Sequence, residues 1–146
     1  MIKIIFTFIG CLLFMYTNGQ NLEKHEWKDR ILIVKAESEA SRTYQIQIEE
    51  LKNSSAGLKE RKLLVYQVIG NKYELIDYGN PGIIASGDVS NKINENILNK
   101  NIPFEIILIG LDGGIKLKKS DIIRKEELFN IIDSMPMRSS ELRNKN

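Results

Sequence analysis

The apolar positions of this chain change their period several times, and each change marks an element. From Phe104 to Ile109 the run Phe-Glu-Ile-Ile-Leu-Ile is apolar at all but one position, as in a strand covered on both faces. Ile115 to Lys119 instead alternates apolar and charged, the pattern of a half-exposed strand whose lysines discourage edge-to-edge pairing. Asp112-Gly113-Gly114 lies between them and supplies residues that tolerate positive φ, so the two runs form a hairpin from an interior to an edge strand. A two-residue turn sets Ile115 and Leu117 with Leu108 and Ile106. A three-residue turn sets them with Ile109 and Ile107, and the register stays open between the two.

Earlier in the chain, Arg30 to Lys35 reads as a first interior strand, entered from a polar leader over 20–29 in which Leu22 and Trp27 are candidate anchors. Ala40, Tyr44, Ile48 and Leu51 then recur at helical spacing, with Ile46 out of step and Gln45, Gln47, Glu49 and Glu50 off the stripe. Asn53 to Gly57 reads as a loop. Leu63 to Ile69 is the next strand, closed by Gly70-Asn71, with a short extension over Tyr73 to Tyr78 and a break at Gly79-Asn80-Pro81-Gly82. A second helix is predicted over Asp88 to Leu98, with Val89, Ile93 and Ile97 on one face and Asp88 or Ser86 as cap. A third is predicted over Glu126 to Met135, with Leu128, Ile131, Ile132 and Met135 inward and Pro136 stopping it. Residues 139–146 read as a polar, frayed tail. The order β-α-β-α-β-β-α joins a parallel crossover to an antiparallel hairpin and a closing helix, an α/β, thioredoxin-like arrangement over residues 30–138. Another α/β sandwich with different strand neighbours shares that order.

Composition changes the picture at the N-terminus. Lys3 is followed by thirteen uncharged, mostly apolar residues and then by Thr17-Asn18-Gly19-Gln20. That pattern describes a secretory signal over 1–19 cut after Gly19, the run being short for a bilayer span. The expected location is then periplasmic or extracellular. A retained membrane anchor is the alternative. Lipid attachment at Cys11 is a poorer one, because Leu12 to Tyr16 continue the apolar run. Cys11 is the single cysteine, so the cut chain offers no thiolate and no dithiol pair. Lys3 is the one charge in the signal, so the 21 basic and 19 acidic residues become 20 and 19, a balance of +1. That gives no reason to expect nucleic acid as partner, nor a membrane unless the signal is kept or lipidated.

Four segments carry a resemblance: Arg30 to Val34, Glu60 to Leu63, Leu108 to Lys116, and Ile132-Asp133-Ser134-Met135-Pro136-Met137-Arg138. Together they resemble the peroxiredoxin-like DUDES family, a domain of unknown function found in short exported bacterial proteins and at the C-terminus of sushi-repeat-containing extracellular animal proteins. The likeness spans about Trp27 to Glu141. It implies a thioredoxin-like fold and supplies no established reaction.

Candidate chemistry is sparse. In redox members of that fold the loop after the first strand carries the reactive cysteines. Here it holds Ser38 and Ser41, read as helix caps, beside Arg42, with Glu37 and Glu39 opposing an anion at the helix start. His25, the lone histidine, reads as a solvated surface residue with no metal-ligand pair around it. Asp112, Gly113 and Gly114 read as a turn, and Met135 and Pro136 as the end of a helix. Met137 and Arg138 have no structural duty visible in sequence. They form either a docking surface or, for Arg138, an internal pair with Asp133 or Glu141. The expectation is a cysteine-free, cofactor-free binding or structural module for an unidentified protein or small ligand. The alternatives are an enzyme with a non-thiol site around Ser38, Ser41 and Arg42, and a lipid-anchored partner protein.

Overall fold

The computed structural model describes residues 22–80 and 82–145. The predicted signal over 1–19 with its Cys11, and Pro81 in the predicted break, lie outside them. A 3-10 turn, Leu22–His25, leads into β1 (Arg30–Ala36). There follow α1 (Arg42–Lys52), α2 (Ser55–Glu60), β2 (Leu63–Ile69), β3 (Lys72–Ile76) and β4 (Ile83–Asp88). The chain continues through α3 (Asn91–Asn96), β5 (Phe104–Ile109), β6 (Ile115–Lys119), α4 (Lys125–Asp133) and α5 (Pro136–Arg143).

All six strands form one sheet in the order β4-β3-β2-β1-β5-β6. β1 lies inside it, parallel to β2 and antiparallel to β5, with Leu32 opposite Val65 on one side and Leu108 on the other. Helices cover both faces. Leu32, Val34 and Ala36 pack with Val65, Ile106 and Leu108 beneath α1, α2 and α4. Ile31 and Ile33 pack with Tyr66, Ile107 and Ile109 on the opposite face, closed by Ile93 of α3 and by Leu22. This burial of successive residues on opposite faces is what the unbroken apolar runs require. The strands β2-β1-β5-β6 with their helices make the thioredoxin-like arrangement, and the β3–β4 hairpin widens the sheet beyond β2.

The hairpin register combines both sequence-level options. Leu117 faces Leu108, whereas Ile115 faces Ile109, because the pairing shifts between Leu108 and Ile109. Such a bulge puts an extra residue into one strand. Leu117 therefore packs on the α4 side with Leu108, while Ile115 is left exposed. Gly113, at φ 77°, closes the turn with its N–H donating to the Gly110 carbonyl at 3.0 Å.

Several expected boundaries are corrected. α1 starts at Arg42, two residues after Ala40, because Ser41 caps it: its Oγ accepts from the Tyr44 N–H at 3.4 Å. The expected loop at 53–57 contains the start of α2, a short helix anchored by the wholly buried Leu58. Asp88 ends β4 rather than capping a helix, and Ser90 caps α3, accepting from Ile93 N–H at 3.3 Å. β4 itself is an exposed edge strand paired with β3. Its Ile83 and Ile84 face water, so it carries no apolar alternation to read. α4 ends at Asp133, and Met135 is the N-cap of α5, with Pro136 in its first turn. Pro136 thus stops one helix and starts the next, its missing N–H costing nothing at a helix start. Residues 139–143 of the expected frayed tail belong to that second helix.

Candidate functional site

The loop after β1 is occupied by caps. Ser38 Oγ accepts from Ala40 N–H at 3.1 Å and Ser41 Oγ from Tyr44 N–H, and Arg42 is exposed. Among the described residues neither serine is bonded to a side-chain base, so the loop holds no nucleophile–base pair of the kind serine chemistry needs. It also lies apart from Met137 and Arg138: Ser38, Ser41 and Arg42 sit at the C-terminal end of β1, and the other two pack around its start.

Around that start lies a network of arginines and carboxylates. Arg61 grips Asp133 through two bonds, Nε to Oδ1 at 3.0 Å and Nη2 to Oδ2 at 2.6 Å, and its guanidinium stacks 4.0 Å from the Phe129 ring centre. Gly57 lies against that ring, where a Cβ would come 2.5 Å from it. Arg138 is 1% exposed. It donates from Nη2 to Glu60 Oε1 at 2.8 Å, from Nε to Asp133 Oδ1 at 3.1 Å, and from Nη1 to Glu141 Oε2 and the Glu60 carbonyl, both at 3.3 Å. The internal role is therefore the one the fold uses, and the docking reading of Arg138 is corrected. Burial pushes the Asp133 carboxyl up, yet the bonds from Arg61 and Arg138 outweigh it and hold the group below the usual carboxylate range. The bond from Arg138 likewise holds Glu60 low.

Arg30 completes the network and departs from it. It opens β1 on the same face as Leu32 and Val34, and it is wholly buried. Nη1 donates to the Arg61 carbonyl at 2.8 Å and to Glu141 at 3.3 Å. Nε and Nη2 are buried and receive no acceptor from the described residues. Each buried donor left in that state costs about 1–3 kcal/mol, and native structures tolerate few of them.

Arg30 lines a cavity of about 530 Å³ between the hairpin turn and the α4–α5 junction. Trp27, Leu111, Ile131, Met135, Pro136 and Met137 make it apolar. Asp112 and Lys116 also line it and pair with each other at 2.8 Å, the bond from Lys116 holding the Asp112 carboxyl low. Trp27 is not the buried anchor expected of it. Its side chain is 62% exposed, and its backbone has φ 66°, a left-handed conformation that costs an L-residue roughly 1–2 kcal/mol. Its N–H is pinned to the Leu111 carbonyl at 2.6 Å. His25 anchors the leader instead. It is buried, with Nδ1 bonded to Asp29 at 3.2 Å and Nε2 to the Tyr66 hydroxyl at 3.0 Å, which corrects its reading as a surface residue. Among the described residues no three His, Cys, Asp or Glu side chains are placed to share a metal ion.

The family model "Domain of unknown function (DUF4174)" matches residues 21–141. The chain belongs to the DUF4174 family. The matched span contains the whole cavity and the arginine network. Sushi repeat-containing protein SRPX2 of Rattus norvegicus is 25% identical over 121 residues, and that of Homo sapiens 26% over 126 residues. Each match covers 83% of this chain and 26% of the relative, so the DUF4174 chain spans about a quarter of those proteins. The solved structure of reduced 2-Cys peroxiredoxin from Plasmodium vivax superposes with TM-score 0.56 at 13% identity, covering 82% of this chain and 72% of that one. That likeness establishes the thioredoxin-like fold. The DUF4174 chain has one cysteine, Cys11, and none in the segment after β1.

Sequence reasoning missed Arg30 and Leu111 as site residues and read Trp27 only as an anchor. A signal for Arg30 existed: in Arg-Ile-Leu-Ile-Val it shares strand parity with Leu32 and Val34, so a charged side chain had to enter the same face as the core.

Proposed function

We propose that this chain is an exported DUF4174 domain that works as a binding module without thiol chemistry, and that its binding site is the cavity beside Trp27. One observation carries this reading: an exposed tryptophan, held in a left-handed backbone conformation by a bond to Leu111, on the wall of an apolar cavity of about 530 Å³. Backbone strain held in place by its surroundings clusters at functional sites, and concave, mostly apolar cavities with a few polar groups are the usual small-ligand sites. Export rests on the signal pattern over residues 1–19. Its cut after Gly19 leaves a chain without cysteine, in which disulfide exchange has no nucleophile. The sushi-repeat context of the relatives fits an exported role and leaves their own partners with them.

Trp27 is the chain's one tryptophan, so its emission reports directly on the cavity. The protein recovered from the periplasm or medium is expected to begin near Gln20 by mass spectrometry and to show no insulin-disulfide reduction above buffer. Titrated with the uncharged apolar dye N-phenyl-1-naphthylamine, it is expected to change its tryptophan emission, and Met137→Ala is expected to weaken that response several-fold. Thiol turnover, or a dye response indifferent to Met137, would contradict the proposal.

A further inference from the structure

Resting on that reading of the cavity, we infer that its ligand is a small molecule with a carboxylate head and an apolar body, and that the carboxylate is held side-on by Nε and Nη2 of Arg30. The Arg30 guanidinium uses Nη1 for the Arg61 carbonyl and Glu141. The Nε–Nη2 edge is left over, two parallel donors without an acceptor among the described residues, on a side chain that lines the cavity and is 0% exposed. That edge matches the two oxygens of a carboxylate in geometry and charge.

The surroundings favour an anion there. Arg30, Arg61 and Arg138, with Lys62 and Lys145 at the rim of the network, stand against the three carboxylates Glu60, Asp133 and Glu141. Both arginine neighbours spend their donors on those carboxylates and on the Gly57 and Glu60 carbonyls. The nearby acid on the cavity wall, Asp112, is neutralised by Lys116. Met135, Pro136 and Met137, the N-terminal turn of the eight-residue α5, form one wall. That turn has no side-chain cap, so its positive end adds to the potential. The C-terminus of α4 beside it does not cancel this. Its Asn130, Ile131 and Ile132 carbonyls accept from Ser134 N–H, Ser134 Oγ and Met135 N–H. The rest of the wall is apolar and would take a hydrocarbon or aromatic body. Arg30 is shielded from water, so a carboxylate reaches it as a side chain of the wall swings aside, and the unbranched Met135 and Met137 are suited to that.

The test uses the exported chain and named probes: decanoate and 4-phenylbutyrate, their neutral isosteres decanol and 4-phenylbutanol, acetate, inorganic phosphate, and a short apolar peptide with free or amidated C-terminus. Binding is read by Trp27 emission and by the Arg30 Nε–H resonance. The acids are expected to bind roughly tenfold or more tighter than the alcohols and to shift the Nε–H signal downfield. Arg30→Met is expected to erase that difference while leaving alcohol binding in place, and Arg30→Lys to restore only part of it. Preference for the free-terminus peptide over decanoate, lost in Arg30→Met, supports the same carboxylate site and assigns it to a chain end. Acids and alcohols bound equally, with the Nε–H signal unmoved, would overturn the carboxylate inference and leave the cavity as an apolar site. Tighter binding of phosphate than of the acids would overturn it too. No response from any probe would overturn the cavity reading itself. The Nε–H signal is measured on the wild-type chain, so the test holds even if Arg30→Met does not fold.

Discussion

Arg138 makes the internal pairs with Asp133 and Glu141 that its sequence neighbourhood allows, and His25 does work that its neighbourhood does not announce. Arg138 satisfies three carboxylates from a position almost closed to water. Its removal empties a buried position and unpairs carboxylates that are partly open to water, with Asp133 still held by Arg61 and Glu141 by Arg30. Arg138→Ala is therefore expected to lower unfolding free energy by about 1–3 kcal/mol, read from urea unfolding monitored by circular dichroism. A change within a few tenths would show the cluster to be solvated. His25 predicts a pH effect. Burial lowers its pKa, and the bond to Asp29 offsets only part of that. The folded state therefore favours the neutral ring, and the unfolded chain takes up the proton first as pH falls past about 6.5. Stability is thus fully present above that pH and is lost on acidification toward the lowered folded value. The urea midpoint is expected to fall between pH 7.5 and 5.5 in the wild-type chain and to stay level in His25→Gln. A wild-type midpoint that rises on acidification would reverse the assignment. Arg138 was legible in part, since a pair with Asp133 or Glu141 was one of its two readings. His25 was not, because it sits between charged neighbours in a polar leader and its partners, Asp29 and Tyr66, lie just before β1 and in β2.

At the scale of elements, apolar periodicity revealed those strands and helices that bury apolar faces. β1, β2, β5, β6 and α4 follow their patterns to within a residue or two. α5 was invisible because its inward contact is an arginine. Pro-Met-Arg-Ser-Ser-Glu-Leu-Arg has no apolar stripe, and its buried residue is Arg138. β4 was invisible because it is an exposed edge held by backbone pairing. Gln47 misled in the other direction. It lies off the apolar stripe of α1, yet it is wholly buried. Its Nε2 donates to the Ile123 carbonyl at 3.1 Å, and its Oε1 accepts from Ile123 N–H at 2.7 Å. This side chain imitates a strand neighbour and straps α1 to the segment that enters α4. Gln47→Ala leaves both backbone groups buried without partners, each costing about 1–3 kcal/mol. It is expected to destabilise the fold by at least one such step and to speed hydrogen exchange at Ile123. Unchanged protection at Ile123 would mean that another group supplies its acceptor.

In the whole molecule, the two ends of β1 differ in what they carry. Its C-terminal end carries the loop where thioredoxin-like redox proteins place thiols. Here Ser38 and Ser41 cap backbone groups there. Its start carries Arg30, Trp27 on the cavity wall, and the α4–α5 junction. The element order was readable because local patterns mark the strands and helices that bury apolar faces. The site was not, because it assembles the leader, the first residue of β1, the hairpin turn and a helix–helix junction, which only the sheet topology brings together. The most direct measurement is an amide chemical-shift map of the exported chain titrated with decanoate. Shifts are expected to cluster at Trp27, Arg30, Gly110, Leu111, Met135 and Met137, with residues 37–42 unmoved. Shifts concentrated at residues 37–42, with Trp27 and Arg30 silent, would place the working end of the domain at the opposite end of β1.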